Sequence, residues 1–205
     1  MNQIDKIYCI NLDRRPDRWK QADAEFKKHN LQVERFSAVD GHALPGKEHL
    51  TLKPGLYGCT ASHYLVIERA KYLRLKVIMV FEDDAVLHPD FNNRLELLLA
   101  DLPEDWHMVQ LGGSHREAPT ALPGTTYMRA NKTLTSHGYI IRETLYERML
   151  AKLKPMQTPV DCVFAELQPN NKIYIPDPPL AWQRGGFSDI ENRVMDYPWL
   201  KYNQQ

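Results

Sequence analysis

The chain has 205 residues, of which 43% are hydrophobic and 25% charged, so it can bury one good core and reads as a single globular domain over 1–205. Its 26 Lys and Arg balance 26 Asp and Glu. That balance excludes a global field for nucleic acid or an acidic membrane, and any anion must be held by local charge.

The amino terminus lacks the apolar core of a signal peptide, and the longest apolar run, Val77 to Phe81, is too short to span a bilayer. Cys9, Cys59 and Cys162 are widely spaced, odd in number and without a CxxC pair, the pattern of reduced core thiols in a cytoplasmic protein.

In chain order, Ile4 to Leu12 is a short β-rich run closed by a polar turn, hence a buried first strand. Pro16 suits the first turn of a helix reaching His29. Val33 to Val39 follows as a strand ended by Asp40-Gly41, which completes a βαβ unit. The stretch from His42 to Pro54 is loop-like, and Ala61 to Arg74 is the next expected helix. Lys76 to Phe81 is the clearest buried strand, followed by the amphipathic helix Phe91 to Leu102 and a strand at His107 to Leu111. Ser114 to Thr126 reads as loop, Leu134 to Arg142 as strand and Glu143 to Lys154 as helix. From Asn170 the Pro-, Asn- and aromatic-rich tail predicts an ordered but irregular wrap. The fold class is therefore α/β with a mostly parallel sheet.

Ligands of open α/β sheets gather beyond the carboxyl ends of the strands. Three polar clusters fall at such ends: Asn11, Asp13, Arg14, Arg15 and Arg18; Asp40-Gly41; and Glu82-Asp83-Asp84. Adjacent carboxylates after a buried strand repel, and a hard divalent cation relieves that repulsion. Strand alternation would point Glu82 and Asp84 the same way, as a pair able to share a ligand. Basic residues are disfavoured at a helix amino end unless an anion sits there, which gives Arg14, Arg15 and Arg18 a reason to be where they are.

The runs INLDRRPDRW (Ile10 to Trp19), AVDG (Ala38 to Gly41), GCTASH (Gly58 to His63) and FEDDAVL (Phe81 to Leu87) together resemble glycosyltransferase family 25. LTSHGYIIR, Pro159-x-Asp161, PPLAWQ and FSDI extend the likeness over nearly the whole chain. The resemblance implies a single-domain GT-A (Rossmann-like) nucleotide-sugar fold, a UDP-sugar donor (typically UDP-galactose) and inverting transfer to a glycan, glycolipid or protein hydroxyl. It implies a divalent metal, Mn²⁺ or Mg²⁺, on Asp84, with Glu82 or Asp83 completing the shell or reaching the ribose. Asn11, Arg14, Arg18 and Asp40 would surround the uridine and diphosphate.

Asp161, opening a helix near the sheet edge, is the expected general base. His137 and Gln183 are expected near the donor, His63 as a secondary candidate, and Ser188-Asp189 as a closing tail. Trp182, Trp199, Tyr197 and Tyr202 would stack on sugar or anchor the tail. No nucleic-acid partner is expected, and peripheral membrane contact is left open. The alternative is a nucleotide-sugar-binding protein without transfer activity.

Overall fold

The computed structural model describes residues 3–190 and 192–197; Trp199 and Tyr202 lie outside them. Its elements are β1 (Lys6–Asn11), α1 (Pro16–Lys28), β2 (Glu34–Ser37), α2 (Pro54–Tyr72), β3 (Val77–Glu82), β4 (Ala85–Leu87), α3 (Phe91–Asp101) and β5 (Met108–Gln110). There follow β6 (Ser114–His115), β7 (Thr120–Ala121), β8 (Tyr127–Arg129), β9 (Thr133–Leu134), β10 (Gly138–Arg142), α4 (Glu143–Leu153), α5 (Val160–Leu167) and β11 (Ile173–Pro176). The tail carries β12 (Ala181–Gln183), β13 (Gly186–Ser188) and β14 (Arg193–Met195).

Eight strands form the central sheet in the order β2-β1-β3-β10-β5-β11-β8-β7. The parallel pairings β1–β2, β1–β3 and β5–β11, with the antiparallel ones, leave only β10 and β8 running against the rest. The sheet is thus mostly parallel by strand direction, as the sequence predicts.

Period-two alternation assigns each strand residue to a face. Tyr8, Ile10, Ile78, Val80, Tyr139 and Ile141 turn towards α2, α4 and α5, and pack with Val66, Leu145 and Phe164. Cys9, Met79, Phe81 and Ile140 turn the other way, towards Ala22 and Phe26 of α1 and Leu95 and Leu98 of α3. The result is a helix–sheet–helix sandwich with one apolar core on each face.

Several elements differ from the sequence reading, and the stretch read as loop from Ser114 to Thr126 carries β6 and β7, the latter paired to β8 at the sheet edge. Helix α2 starts at Pro54 rather than Ala61. Proline suits a first-turn position, and Gly55 and Gly58 are tolerated there because backbone crowds against them. The expected strand from Leu134 divides into β9 and β10. The tail is more regular than expected, because Ile173–Pro176 is wholly buried and pairs between β5 and β8. Among the described residues, no helix is long and apolar enough to cross a membrane.

Candidate active site

A cavity of about 260 Å³ opens beyond the carboxyl ends of β1 and β3. Asn11, Arg14, Arg18, Asp40, Glu82, Asp83, Asp84 and Gln183 all line it, as do Cys59, His63, Asp189 and Tyr197. The three polar clusters, separate in sequence, are therefore neighbours in space.

One wall is set by close backbone packing. A Cβ on Gly58 would lie 2.4 Å from the Val39 carbonyl oxygen, and one on Gly41 would lie 1.8 Å from that of Pro54. Only glycine lets the first turns of α2 lie against the Asp40-Gly41 turn. Ser62 Oγ then accepts from the Val39 amide at 2.9 Å and donates to the Gly58 carbonyl at 2.6 Å. This explains the GCTASH run locally: Gly58 permits contact, Ser62 locks it, and His63 faces inward, fully buried.

Alternation along β3 sends Glu82 to the α2 face and Asp83 to the α1 face. Glu82 Oε1 accepts from Ser136 Oγ at 2.6 Å and faces His63 Nε2 at 3.3 Å, while His63 Nδ1 meets the Tyr139 hydroxyl at 3.0 Å. Burial raises the Glu82 carboxyl, but the His63 and Ser136 contacts outweigh it and hold the group below the ordinary carboxylate range.

Asp83 accepts from Asn11 Nδ2 at 2.6 Å. The Arg18 guanidinium bridges Asp83 and Asp84 at 2.6 and 2.7 Å. The expected Glu82–Asp84 pairing is thus not the one formed: β3 ends at Glu82, alternation lapses in the turn, and Asp84 joins Asp83 on one cation. Burial pushes Asp83 up to about 6 against the pull of Arg18, with Asp84 adding like-charge repulsion. Asp84 is raised by burial too, and again Arg18 offsets this only in part.

The donor set fits a hard divalent cation. Asp84 Oδ2 takes Gln183 Nε2 at 3.2 Å and Arg18, yet the buried Asp84 Oδ1 has no hydrogen-bond partner among the described residues. A buried carboxylate oxygen left so is costly unless a cation meets it.

The opposite wall is the tail. Asp189 Oδ1 accepts from Arg14 Nη1 at 2.5 Å, and its Oδ2 pairs with Arg15 and lies 3.7 Å from Arg18 Nη1. Arg14 also holds Asp40 at 2.7 Å. A single tail carboxylate therefore occupies the guanidinium cluster that the sequence assigns to a diphosphate. Trp182 pairs in β12 against Val86 of β4.

Two expected site residues are not on the cavity wall. His137 is buried behind it, with Nε2 3.2 Å from the Ala181 carbonyl, and burial lowers its pKa. Asp161 stands in the first turn of α5 and accepts from the Cys162 amide at 2.8 Å; its charge reaches Cys59, which does line the cavity. Ser136 and the Cys59–His63–Glu82 grouping carry weight that sequence spacing did not assign. The inward i, i+4 placement of Cys59 and His63 was the available signal.

The glycosyltransferase family 25 (LPS biosynthesis protein) signature matches residues 4–164. A glycosyltransferase 25 family member of Anopheles gambiae is 29% identical over 188 residues, covering 78% of this chain and 32% of its own length. The human inactive glycosyltransferase 25 family member 3 is 31% identical over 143 residues, covering 59% of this chain and 24% of its own. The chain thus spans a third or less of these curated relatives. The crystal structure of a glycosyltransferase involved in glycosylation of the major capsid of PBCV-1 superposes with a TM-score of 0.51 at 10% identity, over 84% of this chain and 81% of that one. That likeness speaks to the α/β fold, which is of the GT-A kind. By its match across most of its length, the chain belongs to glycosyltransferase family 25.

Proposed function

We propose that this chain transfers a sugar, galactose in the first instance, from a UDP-sugar to a hydroxyl of a glycan, glycolipid or protein, with inversion. The observation that carries the reading is the buried Asp84 Oδ1, without a hydrogen-bond partner among the described residues, in a cavity that Arg14 and Arg18 also line, with Arg15 meeting the same Asp189 carboxylate as they do. Asp84 would hold the divalent ion, Mn²⁺ or Mg²⁺, with Glu82 or Asp83 completing the shell. When bound, the ion supplies charge stabilisation for the leaving diphosphate.

The protein's own groups supply the rest. Arg14, Arg15 and Arg18 exchange the Asp189 carboxylate for phosphate oxygens, which guanidinium groups hold in bidentate fashion. Asn11 and Asp40 position the nucleoside side of the donor, and Gln183 stays on Asp84. Asp161, beside the Cys59 edge of the cavity, takes the acceptor hydroxyl proton as the bond to the anomeric carbon forms.

The test is a UDP-sugar hydrolysis and transfer assay with Mn²⁺ or with chelator, on wild type and Asp84→Ala. Turnover should need metal and fall on the order of 10²–10³-fold in the variant, the loss typical when a transition-state charge loses its partner. Equal turnover in the two proteins would overturn the reading. UDP binding without turnover would instead favour a nucleotide-sugar-binding protein. Asp161→Asn should collapse turnover while leaving UDP affinity nearly intact; unchanged turnover removes the base assignment.

A further inference from the structure

One group of side chains has donor chemistry that a Mn²⁺ or Mg²⁺ site does not call for. Cys59 and His63 lie four residues apart on the inward face of α2, and Glu82 meets them from the end of β3. Their ligand atoms, one each of sulfur, nitrogen and oxygen, all lie within 4.8 Å of one another. All three residues line the cavity.

We propose that Cys59, His63 and Glu82 form a binding site for a borderline-soft transition metal, Zn²⁺ above all, with its fourth position open to the cavity. The site is centred on Cys59 and His63 rather than on Asp84, has Glu82 in common with one of the two shells proposed above, and does not rest on the transfer activity.

Three features support it. The 3.3 Å between His63 Nε2 and Glu82 Oε1 is long for a hydrogen bond of this type. It matches the edge of about 3.4 Å expected for two ligands on a tetrahedral zinc with bonds of roughly 2.1 Å. Second, the outer partners are in place. The Tyr139 hydroxyl, 3.0 Å from His63 Nδ1, can accept that N–H and leave Nε2 with a free lone pair. Ser136 Oγ, 2.6 Å from Glu82 Oε1, steadies the carboxylate. Third, a thiolate with an imidazole favours Zn²⁺ over Mg²⁺ or Mn²⁺, and three protein ligands with an open face are the pattern of accessible zinc sites.

The thiol closes the remaining distance by side-chain rotation into the cavity. Its proton passes to solvent as the sulfur–metal bond forms, so affinity should rise with pH. Burial, and the nearby Glu82 and Asp161 charges, raise the free Cys59 thiol well above its usual pKa, which extends that rise to higher pH without changing its slope.

The experiment titrates the intact, metal-free protein with Co²⁺ as a coloured stand-in, then displaces it with Zn²⁺. One equivalent should give a thiolate-to-cobalt charge-transfer band with strong tetrahedral ligand-field absorption, bleached by stoichiometric Zn²⁺ and little affected by excess Mg²⁺. Cys59→Ser should abolish the band and weaken Zn²⁺ binding about a hundredfold or more. Glu82→Gln should weaken binding while keeping the thiolate band, which shows that the thiol is reached even where one variant folds poorly. Asp84→Ala should retain both band and affinity, so failure of the transfer reading and failure of this one are distinct results. No band in folded wild type, a band that survives Cys59→Ser, or Zn²⁺ binding lost in Asp84→Ala and intact in Cys59→Ser, would each overturn the site.

Discussion

The α2 wall of the cavity and the tail that faces it are built by different forces. On the α2 wall, Gly41 and Gly58 bring two backbones into contact, Ser62 locks them, and His63 and Tyr139 are fully buried. On the tail, β13 and β14 pair mainly with each other, Phe187 and Val194 are exposed, and Asp189 reaches the body through Arg14, Arg15 and Arg18. Packing in a dense interior admits one arrangement, whereas partly exposed ion pairs are weak and open to exchange. The donor wall is accordingly preformed, while its cover can yield its arginines to an incoming diphosphate.

The sharpest way to break this contrast is at Gly58. Gly58→Ala places a methyl group against the Val39 and Gly41 backbones, neither of which can swing aside as a flexible side chain would. It should cost about 3 kcal/mol, a fall in Tm of roughly 6–12 °C for a chain of this size. UDP affinity should fall with it, because Asp40 moves. A melt indistinguishable from wild type would show the wall to be pliable.

A pH series tests the carboxylates between the two walls. The folded protein holds the Asp83 proton up to about 6, well above the ordinary carboxylate value, so the folded state binds more protons than the unfolded chain from about pH 4 to 6. That group's contribution to stability therefore falls as pH rises through this window and returns on acidification. Asp83→Asn removes the titration. Its stability relative to wild type, from urea melts of metal-free protein, should rise on the order of 2 kcal/mol between pH 4 and pH 7 and then level off. A pH-independent difference would place Asp83 outside the buried, charge-crowded setting described.

The smallest effect is expected on the tail. Asp189→Asn should change stability by less than about 1 kcal/mol. UDP binding by calorimetry should tighten a few-fold at low salt, since the arginines no longer start paired. A loss of 2 kcal/mol or more, or weaker UDP binding, would make the tail a structural wall rather than a displaceable cover.

The α/β class, most strand and helix positions and the clustering of Asn11, Arg14, Asp40 and Glu82-Asp83-Asp84 at strand ends were legible in the sequence. Each depends on local rules: hydrophobic period, proline and glycine placement, and polar residues directly after apolar strands. The early start of α2 was not legible, because Gly55 and Gly58 look helix-averse until the backbone they contact is known. Nor was the Arg18 bridge between Asp83 and Asp84, which exists because the turn after β3 replaces alternation and α1 brings Arg18 above it.

By itself, then, the sequence determined that a strand-end acidic cluster and a helix-start basic cluster exist, since both are set by residues adjacent along the chain. Only the tertiary structure decided which partner each charge takes. Glu82 goes to His63 and Ser136, Asp83 and Asp84 to Arg18, and the arginines to Asp189 from the far end of the chain. The physical reason is that a pairing across 19 to 175 residues depends on sheet order and on the twofold alternation of strand faces. Both emerge only once the apolar cores on the two faces have packed.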